Sequence, residues 1–93
     1  SNVEGELINE IQHQAKEAQG IVLNAGGYTH TSVSIADAIS AIQIPVVEVH
    51  ISNLLKREEF RHTSLMAPQC KGSIFGFGLE GYALAVDYFL KHA

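Results

Sequence analysis

Apolar residues open the chain at Leu7, Ile8, Ile11, Ala15 and Ala18, the i, i+1, i+4, i+8, i+11 spacing of one helical face. The pattern predicts a first helix capped by Ser1 or Asn2, with Glu4 and Glu6 in the first turn, where the helix dipole favours acids. Gly20 is the expected stop. Ile21 to Ala25 is a short apolar run leading into Gly26-Gly27, which reads as a buried strand with a sharp exit. Helical spacing returns from about Thr31 to Ile42 through Ile35, Ala38, Ile39 and Ile42, with Thr29 or Thr31 as cap. After Pro45, Val46 to Ile51 is dominated by β-branched residues and predicts a strand. Ser52 to about Met66 is polar and reads as a short helix with loops. Ser73 to Phe77 is a third strand. Leu79 to about Leu90 is a final helix, expected to turn Leu79, Ala83, Val86 and Phe89 or Leu90 inward.

Strands that alternate with helices imply right-handed crossovers and a parallel sheet, so the fold class is α/β, with residues 1–93 as a single unit. Parallel sheets are normally covered on both faces and built from more than three strands. Here a helix comes first. The expectation is therefore a partial domain, lacking at least one strand from its front or receiving it from another chain. A monomeric, cooperatively folded 93-residue product would refute that.

With 46% hydrophobic and 17% charged residues, the chain has too much apolar surface to be disordered. No apolar run approaches the roughly 18–20 residues of a membrane span. Ser1 to Glu10 carries three Glu and no basic residue, unlike a secretory leader. The one cysteine, Cys70, cannot pair internally, which fits a reducing compartment such as the cytoplasm. The net charge of −4 argues against nucleic acid as partner. Lys56, Arg57, Arg61 and Lys71 nevertheless concentrate four of the six basic residues in one stretch. That stretch is either a solvated mixed-charge loop, with Glu58 and Glu59 inside it, or a local site for a small anion.

In open α/β sheets ligands bind beyond the carboxyl ends of the strands. Asn24 with Gly26-Gly27, His50-Ile51-Ser52 and Phe77-Gly78 all fall there. His50 is the best candidate for chemistry. A histidine after an apolar strand is commonly a satisfied structural residue, but Glu48, two positions earlier, shares its side of the strand. That carboxylate can fix the imidazole's tautomer, as a general acid or base requires. Asn24 could simply cap a turn. His30 could cap the next helix, whose N-terminal amides would also suit an anion or a hydroxyl-rich ligand. Asp37 lies among apolar residues and is either exposed or directed to a neighbouring subunit. Arg57 and Arg61, four apart, suit a carboxylate, with the adjacent glutamates as ordinary alternatives.

Other chemistries lack their residues. There is no CxxC or HExxH pattern for zinc, no P-loop, and Gly76-Phe77-Gly78 is too short for a dinucleotide fingerprint. Ser52 has no nucleophile-elbow context. Cys70 has Lys71 beside it but no adjacent histidine.

Asn24-Ala-Gly-Gly-Tyr-Thr-His-Thr-Ser32, Val47-Glu-Val-His-Ile-Ser-Asn53, Arg57-Glu-Glu-Phe-Arg-His62 and Gly76-Phe-Gly78, in this order and at this spacing, resemble the type II 3-dehydroquinate dehydratases. Ser1-Asn-Val-Glu-Gly-Glu-Leu-Ile8 is similar to the segment after that family's second strand. The resemblance covers this whole chain and about the last two-thirds of the family's domain. It implies a flavodoxin-like three-layer α/β/α fold without its N-terminal strands. It also implies anti elimination of water from 3-dehydroquinate to give 3-dehydroshikimate in the shikimate pathway, with no metal or organic cofactor. By motif, His50 matches the family's general acid and Glu48 the carboxylate behind it. Asn24, His30 and Arg61 match the residues that hold the substrate's hydroxyls and carboxylate, with the main chain at Ile51 and Ser52. Asp37 matches an acid that reaches a neighbouring subunit's site, in a family commonly assembled as a dodecamer of trimers. The family's tyrosine base, on a lid after the first strand, has no counterpart: Tyr28 belongs to the glycine motif, and Tyr82 and Tyr88 to the last helix. This chain alone is therefore expected to show little or no activity. The rival expectation is a non-catalytic, oligomerising flavodoxin-like fragment that binds an anion.

Overall fold

The computed structural model describes residues 3–53, 56, 59 and 63–92. Helix α1 (Glu4–Gln14) leads to strand β1 (Ile21–Leu23), a 3-10 turn (Gly26–His30), α2 (Val33–Ala41), β2 (Val46–His50), a second 3-10 turn (Ala67–Gln69), β3 (Gly72–Phe75) and α3 (Glu80–Lys91). The strands form one parallel sheet in the order β1-β2-β3. Ile21 pairs with Val46, Leu23 with Glu48, Glu48 with Ser73 and His50 with Phe75. All carboxyl ends thus lie on one rim, as the alternating pattern predicts. Among the described residues no helix is long and apolar enough to cross a membrane.

Side-chain alternation along β2 separates two hydrophobic layers. Val46 joins Leu23, Ile11, Ile35, Ala38, Ile39 and Met66 under α1 and α2. Val47 and Val49 join Ala85 of α3 on the opposite face, with Val22, Ile74, Tyr82 and Phe89 around them. Every residue of β2 is buried. Ile35, Val49 and Met66 have no exposed surface at all, and each such side chain contributes about 1.5–3 kcal/mol of transfer free energy.

Several local expectations change. The N-cap of α1 is Val3, without a side-chain bond; Ser1 and Asn2, the expected caps, lie outside the described residues. The helix ends at Gln14, and Gly20 serves packing: a Cβ there would lie 2.6 Å from Cε1 of Phe89. Ser32 caps α2, its Oγ accepting from the Ile35 N–H, so neither Thr29 nor Thr31 is the cap. Strand β1 stops at Leu23 because the chain turns into the 3-10 segment, and β2 stops at His50. The largest revision concerns α3. Gly81 and Ala85 face the sheet, while Leu79, Val86 and Leu90 are exposed by 73%, 48% and 74%. The expected inward stripe is therefore the outer one, Phe89 excepted, and Gly81 explains why. A Cβ built on it would meet Val49 Cγ1 at 3.0 Å, so the helix sits on the sheet through its small residues. Part of the polar stretch from 52 to 66, with Arg57 and Arg61 in it, lies outside the described residues.

Candidate active site

Glu48 and His50 share one side of β2, on the α1/α2 face, and are 2% and 5% exposed. Alternation places them there, and the apolar neighbours that make the strand also bury the pair. The His50 Nε2 lies 3.1 Å from Oε2 of Glu48. Ser64 donates its Oγ–H to the same oxygen at 2.9 Å, and Ser73 donates to Oε1 at 2.6 Å. Burial pushes the Glu48 carboxyl up, but the hydrogen bonds from His50, Ser73 and Ser64 outweigh it and hold the group below its ordinary value. An ionised carboxylate only accepts, so the proton between the two residues belongs to Nε2. Nδ1, the other ring nitrogen, has no partner among the described residues. The same carboxylate acts on Cys70: burial, then the Glu48 charge, pushes the thiol up to about 11. Cys70 is thereby a protonated, half-buried thiol at neutral pH.

At the tip of β1, Asn24 closes a turn by accepting the Gly26 N–H on Oδ1 at 3.0 Å. Its Nδ2 donates to the Tyr82 hydroxyl at 2.8 Å. Gly26 has φ +59°, a left-handed conformation that glycine adopts without strain. Asn24, Gly26, Gly27, Tyr28, Thr31 and Tyr82 line an open cavity of about 630 Å³. His30 ends the 3-10 turn, with Nδ1 2.8 Å from the Thr63 carbonyl oxygen. Just beyond it, the Ser32 hydroxyl donates to Glu4, tying the start of α2 to the start of α1.

The structure thus brings Glu48 and His50 into contact and puts Asn24 on the same carboxyl rim. The two groups leave the sheet on opposite faces: Asn24 toward α3, His50 toward α2. A ligand touching both would lie across the strand tips. Ile51 and Ser52 follow at the end of β2, where the Gly78 N–H donates to the Ile51 carbonyl at 2.9 Å. Asp37 is exposed on α2 and does not line the cavity within one chain. Arg61 lies outside the described residues. Lys71 departs from the proposed basic cluster: it precedes β3 at the amino end of the sheet, beside Pro45 and Gln19. Among the described residues no three His, Cys, Asp or Glu side chains gather as a metal set.

Ser64, Ser73 and Tyr82 join the site without being candidates by motif. Ser73 carried a usable signal, being the polar alternate position of a strand expected beside one bearing a glutamate. Ser64 and Tyr82 carried none, because their partners are 16 and 58 residues away.

Comparison with known proteins decides the family: a profile described as dehydroquinase class II matches residues 1–90. The chain belongs to this family. It is 57% identical over 93 residues to the 3-dehydroquinate dehydratase of Fusobacterium nucleatum, covering 99% of this chain and 63% of that protein. Identity to the Campylobacter jejuni 3-dehydroquinate dehydratase is 57% over 86 residues, covering 92% of this chain and 54% of that one. The type II dehydroquinase crystal structure from Butyrivibrio crossotus matches with a TM-score of 0.93 at 48% identity, over 97% of this chain and 63% of its own. That from Propionibacterium acnes has the same TM-score at 36% identity, over 98% and 63%. The class II dehydroquinase chain described here therefore spans about 54% to 63% of the length of these relatives. It has their flavodoxin-like α/β arrangement.

Proposed function

We propose that this chain is the larger part of a type II 3-dehydroquinate dehydratase, a hydro-lyase that converts 3-dehydroquinate to 3-dehydroshikimate in the shikimate pathway. The observation that carries the reading is the buried Glu48–His50 pair, 3.1 Å apart at the carboxyl end of β2. In an anti elimination, a base takes the proton alpha to the ketone and the electron pair becomes an enolate. Loss of the hydroxyl on the other side then needs a proton donor. His50 is that donor. Its Nε2–H stays on Glu48, and Nδ1 hands a proton to the leaving oxygen, returning the ring to the neutral Nε2–H tautomer. Asn24 and His30 hold substrate hydroxyls. Arg61 and the main chain at Ile51 and Ser52 take the carboxylate. The base is the family's lid tyrosine, which has no counterpart in these 93 residues.

The same reading makes the enzyme a cytoplasmic homo-oligomer, trimers assembled into a dodecamer, with Asp37 on the exposed side of α2 reaching a neighbour's site. Sedimentation of the full-length enzyme as a monomer would remove that part. The catalytic assignment is tested by His50→Ala in the full-length enzyme. Turnover should fall by about 10²–10⁴-fold, the usual worth of general acid–base catalysis, while substrate affinity changes by less than tenfold. Equal losses in turnover and affinity would contradict the acid role.

A further inference from the structure

We propose that the hydroxyls of Ser73 and Ser64 are positioning residues for the Glu48–His50 pair, acting as two clamps that hold the carboxylate in the one orientation presenting Oε2 to the imidazole. The inference rests on the dehydratase reading for its catalytic meaning and on geometry alone for its structural content. Each carboxylate oxygen receives a hydroxyl: Oε1 from Ser73 at 2.6 Å, Oε2 from Ser64 at 2.9 Å. The two come from different places. Ser73 is the register partner of Glu48 on the neighbouring strand, so backbone pairing sets its position. Ser64 lies in the segment before the second 3-10 turn, and its Oγ also accepts the N–H groups of Met66 and Ala67, at 3.2 and 3.0 Å. A carboxylate gripped at both oxygens cannot rotate about its terminal bond without breaking a charge-assisted hydrogen bond. The imidazole bonded to it is then fixed in tautomer and tilt. With the Ser73 hydroxyl removed, Oε1 loses its donor and the carboxylate is held at Oε2 alone, so its plane can swing about that anchor and the bond to Nε2 is less well directed.

Ser73 is the better residue to alter, since it is exposed on β3 and its side chain bonds only Glu48, whereas the Ser64 hydroxyl also accepts two backbone N–H groups. Ser73→Ala should move the Glu48 carboxyl titration, followed by ¹³C NMR on the full-length enzyme, upward by about half a unit to one unit. Ser73→Thr, which restores the hydroxyl on a strand-compatible residue, should bring it back. In the full-length enzyme, Ser73→Ala should lower kcat about three- to tenfold with KM within about twofold, again rescued by threonine. A titration unmoved in Ser73→Ala, or a shift that threonine does not reverse, overturns the clamp. A shifted titration with unchanged kcat overturns its catalytic meaning. Absence of dehydratase activity in the unaltered enzyme sinks the functional reading instead, and the NMR titration still decides the clamp.

Discussion

Replacing Glu48 by Gln keeps the side chain's shape and removes its charge. The native carboxylate accepts from Ser73, Ser64 and His50 at 2.6, 2.9 and 3.1 Å. A hydrogen bond to an ionised group contributes about 1.5–3 kcal/mol, against about 0.5–1.5 for a neutral pair. Three such bonds weakened by about 1 kcal/mol each give a gross loss of about 3 kcal/mol. Part of it is offset, because the variant no longer buries a charge at a site only 2% exposed. The net loss at pH 7 is then about 1–3 kcal/mol. Its pH dependence has a definite sign. The Glu48 carboxyl in the folded chain titrates below its ordinary value, so the unfolded chain binds more protons in that range. The stability it contributes is complete above the ordinary carboxylate value of about 4.3 and drains away as pH falls through the lower native value. Urea unfolding followed by circular dichroism at pH 7, 5, 4 and 3 should show Glu48→Gln less stable at pH 7, with the gap closing toward pH 3. A gap that stays constant or widens with acid would refute the reasoning, because the carboxylate would then not be held ionised by its donors.

Gly20→Ala should destabilise the fold by about 1–3 kcal/mol through overpacking, since the new Cβ would lie 2.6–2.9 Å from three atoms of the Phe89 ring. Phe89→Leu in the same chain should recover part of that loss in a double-mutant cycle read by urea unfolding, and purely additive changes would sink the close-contact argument. Cys70, pushed up to about 11 by burial and the Glu48 charge, should react with iodoacetamide at pH 8 far more slowly than an unfolded thiol. Glu48→Gln should speed that reaction while the protein remains folded, and an unchanged rate would show that the Glu48 charge does not reach the thiol.

Topology was the most legible part of the chain. Short apolar runs between helical periods leave few alternatives to a parallel sheet, and period-2 alternation alone puts Glu48 beside His50. The inward face of α3 was not legible. Outside the polar stripe of Glu80, Asp87 and Lys91 that helix is apolar, and a reading by hydrophobicity chooses the large Leu79, Val86 and Leu90 over Gly81 and Ala85. Close approach of helix to sheet reverses the choice, because the smallest side chains permit the closest contact. The Gly26–His30 turn has no hydrophobic period to announce it, and Ser32 won the cap from the two threonines only once the chain had coiled there. In the site, the partners within two residues, Glu48 with His50 and Asn24 with Gly26, follow from local geometry. The serines on Glu48 and the tyrosine on Asn24 depend on which distant segments meet, which neither period nor spacing encodes.

The alternation along β2 carries a safeguard. Val46, Glu48 and His50 occupy one parity and Val47 and Val49 the other. A strand that slipped by a single position would bury a charge in the greasy layer beneath α3 and put Val47 and Val49 where Glu48 and His50 should stand. Such a misaligned chain would be inert and unstable at once. Quality control of folding and preservation of chemistry therefore act here on the same odd–even choice.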